Sequence, residues 1–160
     1  LPSDAMLVAD TGHAGIWTGS MVDMNEPGQG FTGASTQTFV REGAEHLGEL
    51  QAWNLATSEE VWTREFKSHN WGPILTTGGG LVFGGDANGH FRALDQKSGA
   101  VLWEVDLGSA VTGHPITYAV DGKQYVAVST GISVVTEGTN NLTPELNPGS
   151  DKTLFVFALP

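Results

Sequence analysis

Residues 93–103 read A-L-D-Q-K-S-G-A-V-L-W, and residues 52–62 read A-W-N-L-A-T-S-E-E-V-W. Both stretches begin with alanine, carry Asp or Asn at the third position and end with tryptophan. The closing tryptophans, Trp62 and Trp103, lie 41 residues apart, a spacing typical of one four-stranded blade in propeller repeats. The repeat therefore predicts that this chain is part of a ring of blades.

The residues inside the repeat have a physical reading. Gly99 stands where a tight turn needs a positive φ, and Asp95 can accept hydrogen bonds from the turn amides. Trp103 can pack flat against a neighbouring blade and donate its indole N–H to a backbone carbonyl. The earlier copy has Asn54 and Ser58 in place of Asp and Gly, so we expect a looser or differently shaped turn there.

Short apolar runs bounded by Gly, Asp, Asn and Ser predict a meander of antiparallel strands. Within 71–107 the Asn-Gly pair at 88–89 is a strong hairpin signal, and four strands there would make one complete blade. The stretch from about residue 10 to about residue 46 is expected to be irregular. The predicted strands cover residues 6–9, 47–55, 60–66, 72–77, 81–85, 90–95, 100–107, 111–119, 124–129 and 153–159.

These strands predict an all-β partial propeller, with one complete blade between two incomplete ones. The blades are expected at about 1–66, 71–107 and 111–160. The first would lack an opening strand and the third a fourth strand, which would leave unpaired hydrogen-bonding edges. We therefore expect the chain to fold against another segment of polypeptide, and Leu1, which is not an initiator residue, suggests that an upstream part is missing.

The composition excludes several classes of protein. A net charge of −11 repels nucleic acids and anionic lipids, and no apolar run approaches the 18 residues of a membrane span. Without cysteine there are no disulfides, no thiol catalysis and no C-x-x-C-H haem attachment. The five histidines lack the spacing of a known ligand motif. Asp86 and Asn88 lack the full pattern of a calcium loop, so a hairpin turn is expected there.

Three stretches resemble a known family. W-G-P-I-L-T-T-G-G-G-L-V-F-G-G-D-A-N-G-H-F-R-A-L-D-Q-K-S-G-A-V-L-W (71–103) resembles a late blade of the pyrroloquinoline quinone (PQQ)-dependent alcohol dehydrogenases. G-H-P-I-T-Y-A-V-D-G-K-Q-Y-V-A-V-S-T-G (113–131) is similar to the next segment of that family, and T-L-F-V-F-A-L-P (153–160) to the end of its catalytic domain. The resemblance covers residues 47–131 well and the flanks weakly.

The resemblance implies an eight-bladed propeller with PQQ and a calcium or lanthanide ion near its axis. Such enzymes oxidise an alcohol or sugar hydroxyl to an aldehyde or ketone, and an aspartate is the base. The metal-binding carboxylates and that base lie in earlier blades, so no catalytic residue and no metal ligand is expected in this chain. The chain would be the C-terminal third or so of the enzyme, and the N-terminal part of the same propeller would be its partner.

Four positions match the family's cofactor contacts. Trp71 corresponds to a tryptophan beside PQQ, with a core tryptophan as the alternative reading. Residues 131–135 correspond to a segment near the cofactor that often carries a further tryptophan. None occurs here, so backbone contact from Ser133 or Val134 is predicted, with an ordinary loop as the alternative. Gly12 stands where the family often has an asparagine close to PQQ.

The long glycine-rich stretch 10–31 is a candidate substrate mouth, because long connections between strands often carry function. Trp17 and His13 are the predicted lining residues. Burial of these side chains against the missing polypeptide is the equally plausible alternative.

Two functions from different classes remain open at this point. The first is the enzyme implied by the resemblance, which would pass electrons to a c-type cytochrome or another external acceptor in the periplasm. The second is a non-enzymatic propeller scaffold for protein–protein interaction. Residues 71–85 and 113–131 favour the enzyme, because a scaffold needs only the positions that lock blades together.

Overall fold

The computed structural model describes residues 5–10, 14–20, 34–70, 72–131 and 141–158, with side chains described from residue 39 onward. All regular secondary structure in these ranges is strand, which confirms the all-β prediction. No described residue belongs to a helix of the length and apolarity needed to span a membrane. The strands are β1 Ala5–Asp10, β2 Ala14–Ser20, β3 Ala34–Val40, β4 Gly48–Asn54, β5 Glu59–Phe66, β6 Leu75–Thr76, β7 Leu81–Gly85, β8 His90–Asp95, β9 Val101–Asp106, β10 Ile116–Val120, β11 Lys123–Ser129 and β12 Leu154–Ala158.

The strands form three blade-like sheets and one hairpin. The middle sheet has four antiparallel strands in the order β6-β7-β8-β9. It lies between two three-stranded sheets in sequence, β1-β4-β5 and β10-β11-β12. The predicted pattern of one complete blade and two incomplete ones is therefore confirmed for the described residues.

The hairpin β2-β3 corrects the sequence prediction, because the stretch from 10 to 46 was expected to be irregular. Its strands pair in register, with Ile16 opposite Thr38 and Thr18 opposite Thr36. β-branched residues favour extended backbone even without apolar alternation. The prediction relied on apolar alternation and was wrong for this reason.

Two strands are much shorter than predicted, and each of their predicted ranges contains a proline. The predicted strand 72–77 is reduced to β6, and the predicted strand 111–119 to β10. Pro73 and Pro115 have no N–H to donate to a ladder. Upstream of the second proline, Val111 still forms an isolated bridge to Thr130.

The middle blade buries both of its faces. On one face Val82 and Leu94 pack with Leu50, Ala52 and Trp62 of the first blade. Side chains on successive strand positions point to opposite faces, so the neighbouring residues form a second cluster against the third blade. That cluster contains Phe83, Phe91, Ala93, Val111, Val126 and Val128.

The repeated motif forms the same tight turn in both blades. Ser58 N donates to Asn54 O at 2.8 Å, and Gly99 N donates to Asp95 O at 2.9 Å. The expected looser turn at the first copy is therefore wrong, because a non-glycine residue takes the positive φ that glycine takes in the second copy.

The blades have two distinct ends. At one end the turn 86–89 lies beside the segment 107–111, since Val111 N donates to Asp86 O at 3.0 Å and Leu107 N to Gly89 O at 2.9 Å. Gly72, between the first and second blades in sequence, lies at the same end, since a β-carbon on it would lie 2.2 Å from Gly85 O and 3.2 Å from Val111 O. We call this end of the blades the connection end. The turns 77–80 and 96–99 lie at the opposite end.

Candidate functional site

Most of the predicted site residues lie outside the described residues. Trp17 lies in β2 opposite Gln37, and its side chain is not among those described. The others outside the described ranges are Gly12, His13, Trp71, Ser133 and Val134.

The described residues that flank these positions meet at the connection end. Asp10, before Gly12, pairs with Glu49 across β1 and β4. The side-chain nitrogen of Asn70, before Trp71, donates to the backbone oxygen of Glu49 at 3.5 Å. The fold thus brings the described sequence neighbours of Gly12 and Trp71, namely Asp10 and Asn70, to one edge of the blades.

Three consecutive polar residues lead into position 71 and are all buried: Ser68, His69 and Asn70. A β-carbon on Gly48, at the start of β4, would lie 2.5 Å from Ser68 O and 2.6 Å from Asn70 N. Burial of polar side chains is unfavourable unless they are hydrogen-bonded. A buried polar run here therefore needs partners or a ligand.

His69 is neutral at physiological pH. Burial lowers its pKa to about 4, and the carboxylate of Asp86 opposes part of that shift. A neutral imidazole keeps a hydrogen-bond acceptor, so this segment presents polar groups without a net charge.

Asp86 is buried at the connection end, and its carboxylate bonds to three other residues. Its Oδ1 accepts from Asn88 N at 3.0 Å and from His90 N at 3.1 Å, which confirms the hairpin turn predicted there. Its Oδ2 pairs with Arg92 Nη1 at 2.8 Å. A buried carboxylate is tolerated when paired and hydrogen-bonded in this way.

Arg92 connects Asp86 to β9, the outermost strand of the middle blade. Its Nε donates to Glu104, and its guanidinium carbon lies 5.1 Å from the centroid of the Phe66 ring. The imidazole of His90 also lies near Glu104, with Nδ1 at 3.5 Å from Oε1. Arg92 is therefore a single cation shared by two carboxylates, those of Asp86 and Glu104.

The end of β11 is held from two sides. Gly131 N donates to Ala110 O at 2.9 Å, and Thr112 Oγ1 donates to Gly131 O at 3.2 Å. Thr130 Oγ1 donates to Asp151 O at 3.0 Å. The backbone is thus fixed immediately before the predicted contacts at Ser133 and Val134.

The described residues fit one wall of a site for PQQ, a planar quinone that carries carboxylates. Ser68 Oγ is buried and makes no hydrogen bond to a described residue, while Asn70 makes only the long bond to Glu49. The hydroxyl of Ser68 and the side-chain amide of Asn70 can therefore donate hydrogen bonds to carboxylate or carbonyl oxygens. Within the described ranges, no three His, Asp or Glu side chains form a group that could hold a metal ion.

Ser68, His69 and Asn70, which form this wall, were not among the site residues predicted from the sequence. The available signal was that these three polar residues come shortly before the predicted strand 72–77. His69 interacts electrostatically with Asp86, and Gly48 lies close to the backbone of Asn70. Both pairs join segments that are distant in sequence, so local sequence patterns do not reveal them.

Comparison with known proteins identifies the family. Residues 41–126, more than half of the chain, match the PQQ family model described as glucose/ethanol/alcohol dehydrogenase, beta-propeller domain. The chain is 37% identical over 113 residues to a 1-butanol dehydrogenase (cytochrome c) of Thauera butanivorans, covering 71% of this chain. It is 40% identical over 119 residues to the dehydrogenase subunit of an alcohol dehydrogenase (quinone) of Acetobacter aceti, covering 74% of this chain.

A solved structure matches nearly the whole chain. A europium-containing methanol dehydrogenase superposes with a TM-score of 0.82 at 25% identity, covering 97% of this chain and 31% of that one. The chain spans 16% of the length of each of the two relatives above. With the family model, the relatives and the fold in agreement, this chain belongs to the PQQ family of glucose, ethanol and alcohol dehydrogenase β-propeller domains.

Proposed function

We propose that this chain is the C-terminal segment of the propeller of a PQQ-dependent dehydrogenase that oxidises an alcohol or sugar hydroxyl to an aldehyde or ketone. The family match over residues 41–126 carries the proposal. The names of the relatives support an alcohol substrate, since they include a 1-butanol dehydrogenase and an alcohol dehydrogenase.

The proposed cofactors are PQQ and a calcium or lanthanide ion. The name of the family supports PQQ, and the europium of the similar methanol dehydrogenase supports a lanthanide-compatible site. When bound, PQQ supplies a quinone that accepts two electrons and two protons as the alcohol becomes a carbonyl compound. The metal ligands and the base come from the N-terminal part of the same propeller.

Within this chain, the proposed contribution is binding and orientation. Trp71 gives an aromatic surface for the planar cofactor, and Ser68 and Asn70 offer hydrogen-bond donors beside it. Gly12, Ser133 and Val134 contribute backbone contacts, and Trp17 and His13 line the substrate mouth.

The charge arrangement supports an anionic cofactor. Asp86, the buried carboxylate that interacts electrostatically with His69, pairs with Arg92 Nη1 at 2.8 Å, and His69 stays neutral. The described segment 68–70 therefore carries no charged side chain that opposes the carboxylates of PQQ. The buried segment 68–70 also excludes water from that side.

The proposed electron acceptor is a c-type cytochrome, and the proposed compartment is the periplasm. The Thauera relative is named with cytochrome c as its acceptor. Cell fractionation tests the compartment, because osmotic-shock fluid should contain the protein. Retention with the cytosolic markers would contradict it.

The activity is tested with the full-length polypeptide that contains this chain. The apoprotein is mixed with PQQ and either Ca²⁺ or La³⁺, and oxidation of methanol, ethanol, 1-butanol and glucose is followed with an artificial electron acceptor. We expect turnover only when PQQ and one metal are both present. Turnover without PQQ, or none with any combination, would contradict the proposed function.

The role of Trp71 is tested by Trp71→Ala in the same polypeptide. Loss of stacking is expected to weaken PQQ binding by at least tenfold, as measured by titration of the apoprotein. Trp53→Ala is the matched control, because Trp53 is a half-buried tryptophan whose indole donates to Gln51 Oε1 at 2.9 Å. Equal PQQ affinity in Trp71→Ala and the parent would remove Trp71 from the cofactor site.

A further inference from the structure

Three glycines at the connection end leave no room for a side chain. A β-carbon on Gly48 would lie 2.5 Å from Ser68 O and 2.6 Å from Asn70 N. One on Gly72 would lie 2.2 Å from Gly85 O. One on Gly85 would lie 2.4 Å from the β-carbon of Val111. We call Gly48, Gly72 and Gly85 the glycine seam.

At the glycine seam, neighbouring segments of the chain pack directly against one another. The start of β4 lies against the backbone of 68–70, residue 72 against the end of β7, and that end against Val111 of the third blade. Residues 68–70 therefore lie against the start of β4, and Gly72 lies against the end of β7. The atoms at closest approach are backbone atoms, Ser68 O, Asn70 N and Gly85 O. Backbone atoms cannot rotate away as a long side chain can, so these contacts fix residues 68–70 and Gly72 closely.

The seam differs from other glycines in the same blade. Gly78 has nothing within 4 Å of an added β-carbon, and Gly79 has only Thr77 Oγ1 at 3.9 Å. Those two glycines serve a turn at the opposite end and have open space beside them. A β-carbon on Gly99, also at that end, would meet the side-chain ring of Trp62 at 2.7 Å, whereas one on Gly48 or Gly72 would meet backbone atoms.

We propose that Gly48 and Gly85 are positioning residues for the dehydrogenase reaction, because they hold residues 68–70 and Gly72 in place and with them the hydrogen-bond donors of Ser68 and Asn70. This inference rests on the proposed function, which assigns those donors to the cofactor. The two glycines act through these residues and touch neither cofactor nor substrate. A methyl group added at Gly48 would meet the backbone of Ser68 and Asn70 directly, and one added at Gly85 would meet Val111 and move the strand end that lies against Gly72.

The first test is Gly48→Ala in the full-length polypeptide, with Gly78→Ala as the matched control. A misplacement of about 1 Å can lower a rate about 100-fold, so we expect kcat to fall roughly 10- to 100-fold in Gly48→Ala. The substrate KM should change much less. Gly78→Ala should keep kcat within about twofold, since its methyl group meets open space.

A second readout does not depend on turnover. Apoprotein is titrated with PQQ, and the absorption spectrum of the bound quinone is recorded. Gly48→Ala is expected to bind PQQ about tenfold more weakly and to shift that spectrum, while the apoprotein keeps its near-ultraviolet circular dichroism. Parental PQQ affinity, spectrum and kcat in Gly48→Ala would overturn the inference.

A rescue experiment covers the case in which Gly48→Ala does not fold. Gly85→Ala collides with Val111, and Val111→Gly removes the atoms it meets. We expect the double variant to regain PQQ affinity and kcat relative to Gly85→Ala, measured against Val111→Gly alone. A double variant no better than Gly85→Ala would overturn the role of Gly85.

The results separate this inference from the proposed function. A parent polypeptide with PQQ-dependent turnover and a Gly48→Ala variant identical to it would refute the seam alone. A parent without PQQ-dependent turnover would refute the proposed function and the inference with it.

Discussion

The two copies of the eleven-residue motif form the same turn, yet their tryptophans lie in different surroundings. Asn54 Oδ1 accepts from the amides two and three positions on, at 2.9 and 3.2 Å. Asp95 Oδ1 accepts from the equivalent amides at 3.1 and 2.8 Å. The residue four positions on has a positive φ in both, 57° at Ser58 and 67° at Gly99.

The two tryptophans differ in burial, because among the described residues only Trp62 is covered by a turn of the following blade, the turn 96–99. Trp62 is 8% exposed and donates to Gln96 O at 3.1 Å, with Gly99 against its ring. Trp103 is 40% exposed and meets Phe157 edge-on at 5.1 Å. It borders an open apolar groove of about 550 Å³.

The comparison separates a local property from a property of the neighbouring blade. The turn needs only an acceptor at its first position and a residue that tolerates positive φ, so Asn and Ser serve as well as Asp and Gly. Burial of the tryptophan needs the turn of the following blade. The motif therefore encodes the turn alone, and assembly of the ring decides how much each tryptophan stabilises.

The largest expected effect is on the tryptophans themselves. In the polypeptide that contains this chain, Trp62→Ala should lower the free energy of unfolding by about 3–5 kcal/mol, because it opens a cavity between two blades. Trp103→Ala should cost roughly 1–2 kcal/mol, because the ring is only partly buried. Urea unfolding followed by circular dichroism measures both.

Trp62→Phe is the control for this pair. It keeps an aromatic ring and loses the hydrogen bond to Gln96, so a loss of about 1–2 kcal/mol is expected. Equal losses for Trp62→Ala and Trp103→Ala would show that burial by the next blade does not set the contribution.

A smaller effect is expected from exchanging the residues with positive φ. Gly99→Ser should destabilise by about 2–3 kcal/mol, because positive φ costs a non-glycine residue about 1 kcal/mol and its β-carbon would lie 2.7 Å from two ring carbons of Trp62. Ser58→Gly should stabilise by up to about 1 kcal/mol, since it relieves only the backbone.

The same unfolding measurements decide this prediction. A stabilising Ser58→Gly with a strongly destabilising Gly99→Ser would show that the ring of Trp62 makes the second turn more demanding. Effects of equal size and opposite sign would mean that φ alone matters and that the contact with Trp62 contributes nothing.

Much of the fold could be predicted because its signals are local. The spacing of Trp62 and Trp103, the Asn-Gly turn at 88–89 and the apolar strands all lie within one blade, and the middle blade is confirmed with its four strands. The hairpin β2-β3 was missed because its threonines carry strand propensity without apolar alternation.

The candidate site was less accessible to such reasoning. The burial of His69 near Asp86 and the contact of Gly48 with Asn70 depend on how successive blades stack, which no short pattern encodes. The family resemblance supplied Trp71, Ser133, Val134 and Gly12, and the long glycine-rich stretch 10–31 supplied Trp17 and His13. All six assignments stay predictions.

The smallest expected effect concerns charge, the remaining difference between the two turns. The hydrogen bonds of Ser98 to Asp95 hold the pKa of that carboxyl below its ordinary value of 3.8, whereas Asn54 does not titrate. The contribution of Asp95 to stability is therefore complete above pH 3.8 and is lost as the pH falls through its lower folded-state pKa. Below that pKa both folded and unfolded states are protonated at this position.

Asp95→Asn tests this by making the second turn chemically like the first. We expect the stability difference between the parent and Asp95→Asn to be constant from about pH 5 to pH 7 and to change in disfavour of the parent as the pH falls below about 4. Lys97→Gln, which keeps the carboxyl and its Ser98 bonds, should retain the pH dependence. A parent and an Asp95→Asn variant with parallel stability curves down to pH 2 would mean that Asn54 and Asp95 hold their turns equally at every pH, and the charge would then be incidental to the motif.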